Sequence, residues 1–314
     1  MATRSAASAS DPWPGFWRRR LIAAILAAAD AFPHPGQDDG KRIHEARKTL
    51  KEARALAKLM TAVIGPPAYD ALRELEAARR RLGRARDLDV MAEALASLRG
   101  PLDDRLIDTL GEAIAGERDA ARAAHREIDA AAQIARLRAL ARAVDAWDLS
   151  AFDLFDLARS LRDLYRAARR RGKKALADAD PRELHELRVA IVDLGHCFDA
   201  MAPAWPAHFA AFAHEFRRLR EQLGRHNDLT VLGDFARSRD DIAPAEKGAL
   251  SRAVERRQKR LAKRAQRFFD RLFAERPNAL FERVAAYMEN PTASMSRSAD
   301  SGPSAHRPAA RRGR

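Results

Sequence analysis

A row of basic side chains lies along one predicted helix near the start of the chain, between Lys41 and Met60. Residues three or four apart share one face of an α-helix, and the members of this row keep that spacing: His44, Arg47, Lys51, Arg54 and Lys58. The row contains no acid, because Glu45 and Glu52 fall on the far side of the helix. Five basic groups held along roughly 20 Å of helix repel one another. The row therefore predicts a binding site for an extended anion.

Arginine and lysine at this spacing suit a phosphate polymer or a similar anion. Arginine makes forked hydrogen bonds to neighbouring oxygens, and lysine makes adaptable contacts as a point charge. A dense anion would also favour the charged forms of His44 and of a second histidine, His185, so binding is expected to strengthen as the pH falls towards ~6.

The apolar positions of the same stretch predict that its helix packs on a core. Ile43, Leu50, Ala57 and Met60 share a second face. Of the 314 residues, 46% are hydrophobic and only 6% aromatic, and β-branched residues are few, which predicts an all-α fold. The net charge of +14 indicates a polyanionic partner: nucleic acid, an anionic membrane surface or a phosphate polymer. The single cysteine, Cys197, favours a reducing compartment such as the cytoplasm.

The second half of the sequence repeats the first. An offset of 141 residues separates His44 from His185, Arg47 from Arg188, and the segment RLGRARDLDVM from QLGRHNDLTVL. Further identities keep the same register: Glu74/Glu215, Arg79/Arg220, Gly83/Gly224 and Asp87/Asp228. The repeat predicts two homologous helical bundles, about 15–145 and 150–289, related by a pseudo-two-fold axis with their basic rows converging near it.

Turn signals divide each half into helices. The predicted helices are 16–31, 39–64, 68–82, 87–98 and 102–140 in the first half, and 154–176, 181–201, 207–223, 228–237 and 244–289 in the second. Residues 1–14 and the basic tail 290–314 are predicted to be disordered, because they are broken by proline or rich in Ser, Pro, Ala and Arg. The stretch from Arg18 to Phe32 imitates a secretory signal, but an amphipathic first helix is the preferred interpretation.

The paired motifs resemble the CHAD family, the conserved histidine α-helical domain. The resemblance is carried by IHEARKTLKEAR and LHELRVAIVDLGH, each followed about forty residues later by LGRARDLDV or LGRHNDLTV. It covers roughly residues 17–289. It implies two four-helix-bundle repeats around a basic central groove, binding of inorganic polyphosphate, and association with polyphosphate granules in bacteria. A stand-alone domain without catalysis and without a cofactor is expected.

The two copies match the family unequally. All five members of the first row occupy the family's basic positions. The second copy keeps His185 and Arg188, but after Arg188 it no longer follows the family's basic pattern. Val192, Gly195 and Asp199 stand where Lys or Arg is expected. A preceding helix carries another basic row, to which we assign the displaced charge as a hypothesis: Arg162, Arg166, Arg169 and Lys173.

Other basic residues leave two interpretations open. Arg84 and Arg225 bind either the ligand or the neighbouring Asp87 and Asp228, which we interpret as helix N-caps or salt-bridge partners. Two further basic rows correspond to each other through the offset of 141 residues, and each is either part of the site or a solvated face. They are Arg118, Arg122 and Arg126 in the first half and Lys259, Lys263 and Arg267 in the second.

Three classes of function follow from these patterns. The preferred one is a non-catalytic polyphosphate-binding protein, in the cytoplasm or on granules. The second is a nucleic-acid-binding protein, which the charge favours although aromatic platforms for single strands are lacking. The third is a polyphosphate-processing enzyme, but no phosphate-cradling glycine loop and no acidic cluster for magnesium is present in the sequence. A metal site at His44, His185, Asp87 and Asp228 is a weaker alternative, so no metal is expected.

Overall fold

The computed structural model describes residues 12–32, 39–82, 84–126 and 129–289. The described part contains eleven helices: α1 (Pro12–Asp30), α2 (Asp39–Ile64), α3 (Pro66–Arg81), α4 (Arg84–Ala96), α5 (Asp104–Arg126), α6 (Ala130–Asp145), α7 (Leu154–Asp178), α8 (Pro181–Ala200), α9 (Pro206–Arg237), α10 (Pro244–Leu272) and α11 (Pro277–Glu289). In these residues the extended structure is limited to one isolated bridge, between Arg99 and Leu102. The all-α prediction is confirmed. Residues 1–11 and 290–314, which were expected to be disordered, lie outside the described part.

Two long predicted helices are in fact divided. The stretch 102–140 forms α5 and α6, and Asp129 caps α6 by accepting a hydrogen bond of 2.9 Å from the Ala132 N–H. The stretch 244–289 forms α10 and α11, because Pro277 starts a new helix at its first turn. The helical spacing of apolar residues does not reveal such a break when the helices on both sides of it pack on the same core.

The reverse error occurs at Gly224. The predicted break between 223 and 228 is absent. Helix α9 runs through this position without interruption and is 32 residues long in all. A glycine inside a helix costs only about 1 kcal/mol relative to alanine, which tertiary packing can outweigh. Asp228 is therefore an internal residue of α9 and not an N-cap, and Asp87 likewise lies inside α4.

The first helix starts earlier than the predicted domain boundary at residue 15. Trp13 is 1% exposed, and its indole N–H donates to the Met288 carbonyl across 3.0 Å. Trp17, Leu21 and Ile25 follow on the same buried face. The segment that imitates a secretory signal is thus an amphipathic helix of the core.

Two apolar cores form, and each contains helices from both halves of the sequence. The larger core combines residues of α1, α2, α3 and α6 with residues of α7, α8, α11 and parts of α9 and α10. The smaller core joins α4 and α5 to the second half of α9 and the first half of α10. The sequence halves are therefore interleaved in space. The pseudo-two-fold axis itself remains a prediction.

Helices α2 and α8 run side by side in the same direction. The Cys197 thiol lies 3.6 Å from the Ala55 carbonyl, and Arg54 hydrogen-bonds to Asp193. Lys51 lies near Arg188, and Ala55 contacts Cys197, so position along α8 increases with position along α2, as in a parallel pair. The basic row of α2 and the start of the second copy on α8 are therefore brought alongside each other.

Candidate anion-binding site

Arg47 is held in a fixed position at the start of the α2 row. Its guanidinium donates to the Leu82 carbonyl across 3.0 Å and to Asp87 Oδ1 across 3.2 Å. Asp87 is therefore a salt-bridge partner, as one of the two interpretations expected, and its partner is a member of the row. The ion pair joins α2 to α4.

Lys51, one turn further along, lies among arginines from three other helices. Burial, and then the charges of neighbouring arginines, lower its pKa from 10.5 to about 8; these arginines are, in decreasing order of effect, Arg188, Arg47, Arg220 and Arg79. A lysine is seldom placed in such surroundings, because desolvation and like charges both oppose its protonated form. We name these five residues the central cluster: Arg47, Lys51, Arg79, Arg188 and Arg220.

Arg79 on α3 and Arg220 on α9 were not among the predicted site residues. The pKa of each is lowered, chiefly by burial and then by a neighbouring arginine. The signal that could have identified them was in the repeat, since the two arginines coincide at the same offset of 141 residues as the histidines. Neither arginine belongs to α2, so the residue spacing along that helix could not identify them as neighbours of Lys51.

Arg188 is the member of the cluster contributed by α8. Burial lowers its pKa, and Asp228 partly opposes the effect. Its Nε is buried and has no hydrogen-bond partner in the described part of the chain, and the same holds for the Nε of Arg79. An added Cβ on Gly224 would lie 3.6 Å from the Arg188 Nε, so α9 passes close to this guanidinium. The cluster thus holds buried hydrogen-bond donors that an anion could engage.

His196 lies beside the cluster without adding charge to it. Burial, and then Arg220, lower its pKa to about 4. The imidazole is therefore neutral at pH 7.

The far end of the α2 row has an internal counter-ion. Asp193 of α8 accepts a hydrogen bond from Arg54 and another of 3.2 Å from the Lys58 ammonium. The Asp193 side chain is only 3% exposed, whereas that of Lys58 is 42% exposed. The row predicted from sequence is therefore divided: Arg54 and Lys58 share one buried carboxylate, whereas Lys51 has no acid among its strongest charged neighbours.

The two repeated histidines are at the surface. His44 and His185 are both exposed, so neither is enclosed in hydrocarbon. The Nδ1 of His185 lies 2.7 Å from the Asn227 Oδ1. Both histidines begin the parallel stretch of α2 and α8, which places them at the same end of the helix pair as the central cluster.

The basic row of α7 makes its contacts elsewhere. Arg162 lies over the Phe281 ring at 5.4 Å, Arg166 donates to Asn278 across 3.2 Å, and Arg169 donates to the Phe273 carbonyl across 2.9 Å. These partners belong to α11 and to the end of α10. Lys173 is exposed. The structure does not bring this row to the central cluster.

The remaining predicted residues are distributed over other surfaces. Arg225 lines a cavity of about 250 Å³ between α4, α9 and α10, together with Glu93, Asp228 and Arg257. Lys259 and Lys263 are exposed on α10, and Arg118 is partly exposed on α5. The side chains of Arg84, Arg122 and Arg126 lie outside the described part.

The described residues hold neither a metal-ligand cluster nor an accessible cysteine. They contain no group of three or more His, Cys, Asp or Glu arranged to hold a metal ion. Cys197 is completely buried, and burial raises the pKa of its thiol far above the usual range, so it is not an available nucleophile. In the same part of the chain, no helix has the length and apolarity needed to cross a bilayer.

The fold and the site together define the class of protein: an all-α protein in which arginines from several helices cluster beside the parallel pair α2 and α8. A family model for the CHAD domain matches residues 19–237, which is more than half of the sequence. The chain belongs to the CHAD family, as its motifs suggested. The match ends with α9, so α10 and α11 lie beyond it.

A solved structure agrees with this assignment. The crystal structure of the CHAD domain from the plant Ricinus communis matches over 92% of this chain and 94% of that chain, with a TM-score of 0.53 and 20% sequence identity. At this identity the likeness supports the fold. No curated protein matches the sequence.

Proposed function

We propose that the chain binds inorganic polyphosphate at the central cluster, without altering the polymer chemically. The observation that carries the proposal is Lys51, a largely buried lysine whose pKa is lowered by burial and by the charges of four arginines. Such a group raises the free energy of the folded protein. A bound polyanion removes this penalty, because each phosphate attracts charges that otherwise repel one another.

An extended phosphate polymer fits the arrangement better than a compact anion. The cluster draws five cationic side chains from α2, α3, α8 and α9, and these outnumber the negative charges of a single phosphate ion. Polyphosphate carries about one charge per phosphate, and its binding would be driven by charge-assisted hydrogen bonds and counterion release. Membership of the CHAD family adds support, and location in the cytoplasm or on polyphosphate granules belongs to the same proposal.

A second candidate is nucleic-acid binding, and the outer face of α10 favours it. Eight exposed cations lie on that face within an arc of about 140° around the helix: Arg252, Arg256, Lys259, Arg260, Lys263, Arg264, Arg267 and Arg271. Among the described residues, only Arg271 has an acidic partner, Glu215 at 4.0 Å. A rigid basic face without exposed aromatic residues suits a duplex phosphate backbone.

Competition between the two polymers separates the candidates. Labelled long-chain polyphosphate is bound to the protein and then challenged with duplex DNA at equal phosphate concentration. We expect polyphosphate to be retained. Displacement by DNA at parity would contradict the proposal and favour the nucleic-acid function.

Variants identify the surface that each polymer uses. We expect Arg220→Gln to weaken polyphosphate binding and to leave DNA binding unchanged. Arg260→Gln on α10 is the matched control, with the same substitution at an exposed site. If Arg260→Gln weakens polyphosphate binding more than Arg220→Gln does, the assignment of the site to the central cluster is wrong.

The non-catalytic part of the proposal has its own measurement. The protein is incubated with polyphosphate in the presence and absence of magnesium, and orthophosphate release is followed. We expect none above the rate of a sample without protein. Release that depends on the protein would assign the chain to the polyphosphate-processing class.

A further inference from the structure

The buried carboxylate of Asp193 lies against the far end of the α2 row, where the sequence predicts that only a bound anion contacts the cations. Arg54 and Lys58 have the correct spacing to continue the row from Lys51. Both instead donate hydrogen bonds to Asp193, which reaches them from α8. Arg54 also borders the central cluster, since its charge is the first, after burial, of the causes that lower the pKa of Arg79.

The pair is built into the interior of the protein. The side chains of Asp193 and Arg54 are 3% and 11% exposed, so water screens their attraction weakly. An external phosphate that competed for Arg54 would have to leave Asp193 buried without its partner, and an unpaired buried charge is costly. The internal carboxylate therefore has a large advantage over a ligand at this position.

We propose that Asp193 acts as a built-in anion that ends the polyphosphate site beyond Lys51 and so limits the number of phosphates the protein contacts. The proposal rests on the proposed function and adds a residue that determines the extent of the site. In this view Arg54 and Lys58 do not bind the ligand in the natural protein, although they belong to the predicted row.

The space beside the pair is open to a longer ligand. Arg54, Lys58 and Asp193 line a groove of about 560 Å³ between α2, α3, α7 and α8, which Asp163 also lines. Removal of the Asp193 charge would therefore free Arg54 and Lys58 for a ligand, in a groove that keeps the two acids Glu76 and Asp163. Asp163 offers a matched control, since it lines the same groove but pairs with Arg162 and Arg166 on α7.

The test compares the affinity for long-chain polyphosphate of the natural protein, Asp193→Asn and Asp163→Asn over a series of salt concentrations. We expect Asp193→Asn to raise the affinity on the order of tenfold. Two more phosphate contacts should also steepen the dependence of log K on log salt by about 1.4, at roughly 0.7 per contact. Asp163→Asn, which removes the same charge from the same groove, should change both quantities much less.

Lys58→Gln provides a second measurement that does not depend on the stability of Asp193→Asn. In the natural protein we expect Lys58→Gln to leave polyphosphate affinity unchanged, because the Lys58 ammonium is held by its hydrogen bond to Asp193. In the Asp193→Asn background the same change should remove part of the gain. A loss of affinity in the natural background, or equal affinity of Asp193→Asn and the natural protein, would overturn the inference.

The two proposals fail in different ways. If the natural protein does not bind polyphosphate, the proposed function fails. If it binds and the variants behave contrary to the expectation, only the role of Asp193 fails. Melting temperatures of all variants show whether a change in affinity reflects a change in folding.

Discussion

Arg47 forms an ion pair with Asp87, with 3.2 Å between Nη2 and Oδ1, whereas Lys51 one turn away has only arginines as its strongest charged neighbours. The acid keeps one cation in position, and the neighbouring cation is left in a repulsive field. This arrangement stores electrostatic free energy in the folded protein. Under the proposed function, a bound polyanion would recover that free energy.

Replacement of Lys51 should therefore separate stability from binding. We expect Lys51→Gln to raise the free energy of unfolding by about 1 kcal/mol, because it removes a buried charge from the field of four arginines. Polyphosphate affinity should fall by about tenfold, since one charge-assisted contact is lost. Thermal unfolding and a binding titration measure the two effects.

The control for Lys51→Gln is Lys48→Gln on the same helix. Lys48 is 60% exposed and pairs with Glu45 at 3.0 Å, and surface pairs of this kind contribute little to stability. Both quantities should change little. A decrease in stability for Lys51→Gln would show that the cluster is not under electrostatic strain.

The pH dependence should identify the same lysine. The unfolded chain keeps the ordinary lysine pKa of 10.5, and the folded protein has a pKa of about 8 at Lys51. Between these values the unfolded state binds more protons, so this group makes the free energy of unfolding increase as pH rises from 8 to 10.5. Below pH 8 the full penalty is present.

Binding should show the opposite trend with pH. A bound polyanion favours protonated Lys51, so the affinity should fall as pH rises above about 8. Titrations across pH 7–10 with the natural protein and Lys51→Gln check this, and the variant should lack the fall. A transition near pH 6 instead would assign the effect to His44 and His185, as the sequence alone suggested.

Sequence patterns sufficed for the fold class and for three of the five residues of the central cluster. The period of α2 placed Arg47 and Lys51 on one face, and the repeat placed Arg188 alongside them. The role of Asp193 was beyond reach, because it depends on the parallel packing of α8 against α2 and joins residues 135 and 139 positions apart. Helical spacing reports neighbours on one helix only.

The two arginines that sequence reasoning missed should matter for binding. We expect Arg79→Gln and Arg220→Gln each to weaken polyphosphate affinity by about tenfold, because both belong to the central cluster. Arg73→Gln is the control on α3, since Arg73 is 74% exposed and pairs with Asp70. Equal affinities for Arg73→Gln and Arg79→Gln would place the ligand away from the cluster.

Two glycines should respond differently to alanine. Gly172 of α7 lies against the Phe269 ring of α10 so closely that an added Cβ would overlap the ring, whereas a Cβ on Gly224 meets only the Arg188 Nε at 3.6 Å. Gly172→Ala should lower the free energy of unfolding by about 1–3 kcal/mol through overpacking. Gly224→Ala should raise it by up to about 1 kcal/mol through helix propensity. Denaturant unfolding measures both, and equal effects would contradict the close approach of α7 to α10.

The α7 row allows the hypothesis of displaced charge to be tested directly. That hypothesis requires Arg166→Glu to weaken polyphosphate binding, but Arg166 donates to Asn278 on α11 and pairs with Asp163, so we expect the affinity to stay within about twofold. Arg169→Glu should lower the free energy of unfolding by about 1–3 kcal/mol, because the Phe273 carbonyl at the end of α10 loses its donor. Binding titrations and thermal unfolding of both variants give the answer. A loss of affinity for Arg166→Glu at unchanged stability would return α7 to the binding surface and show that the ligand extends beyond the cluster of α2, α3, α8 and α9.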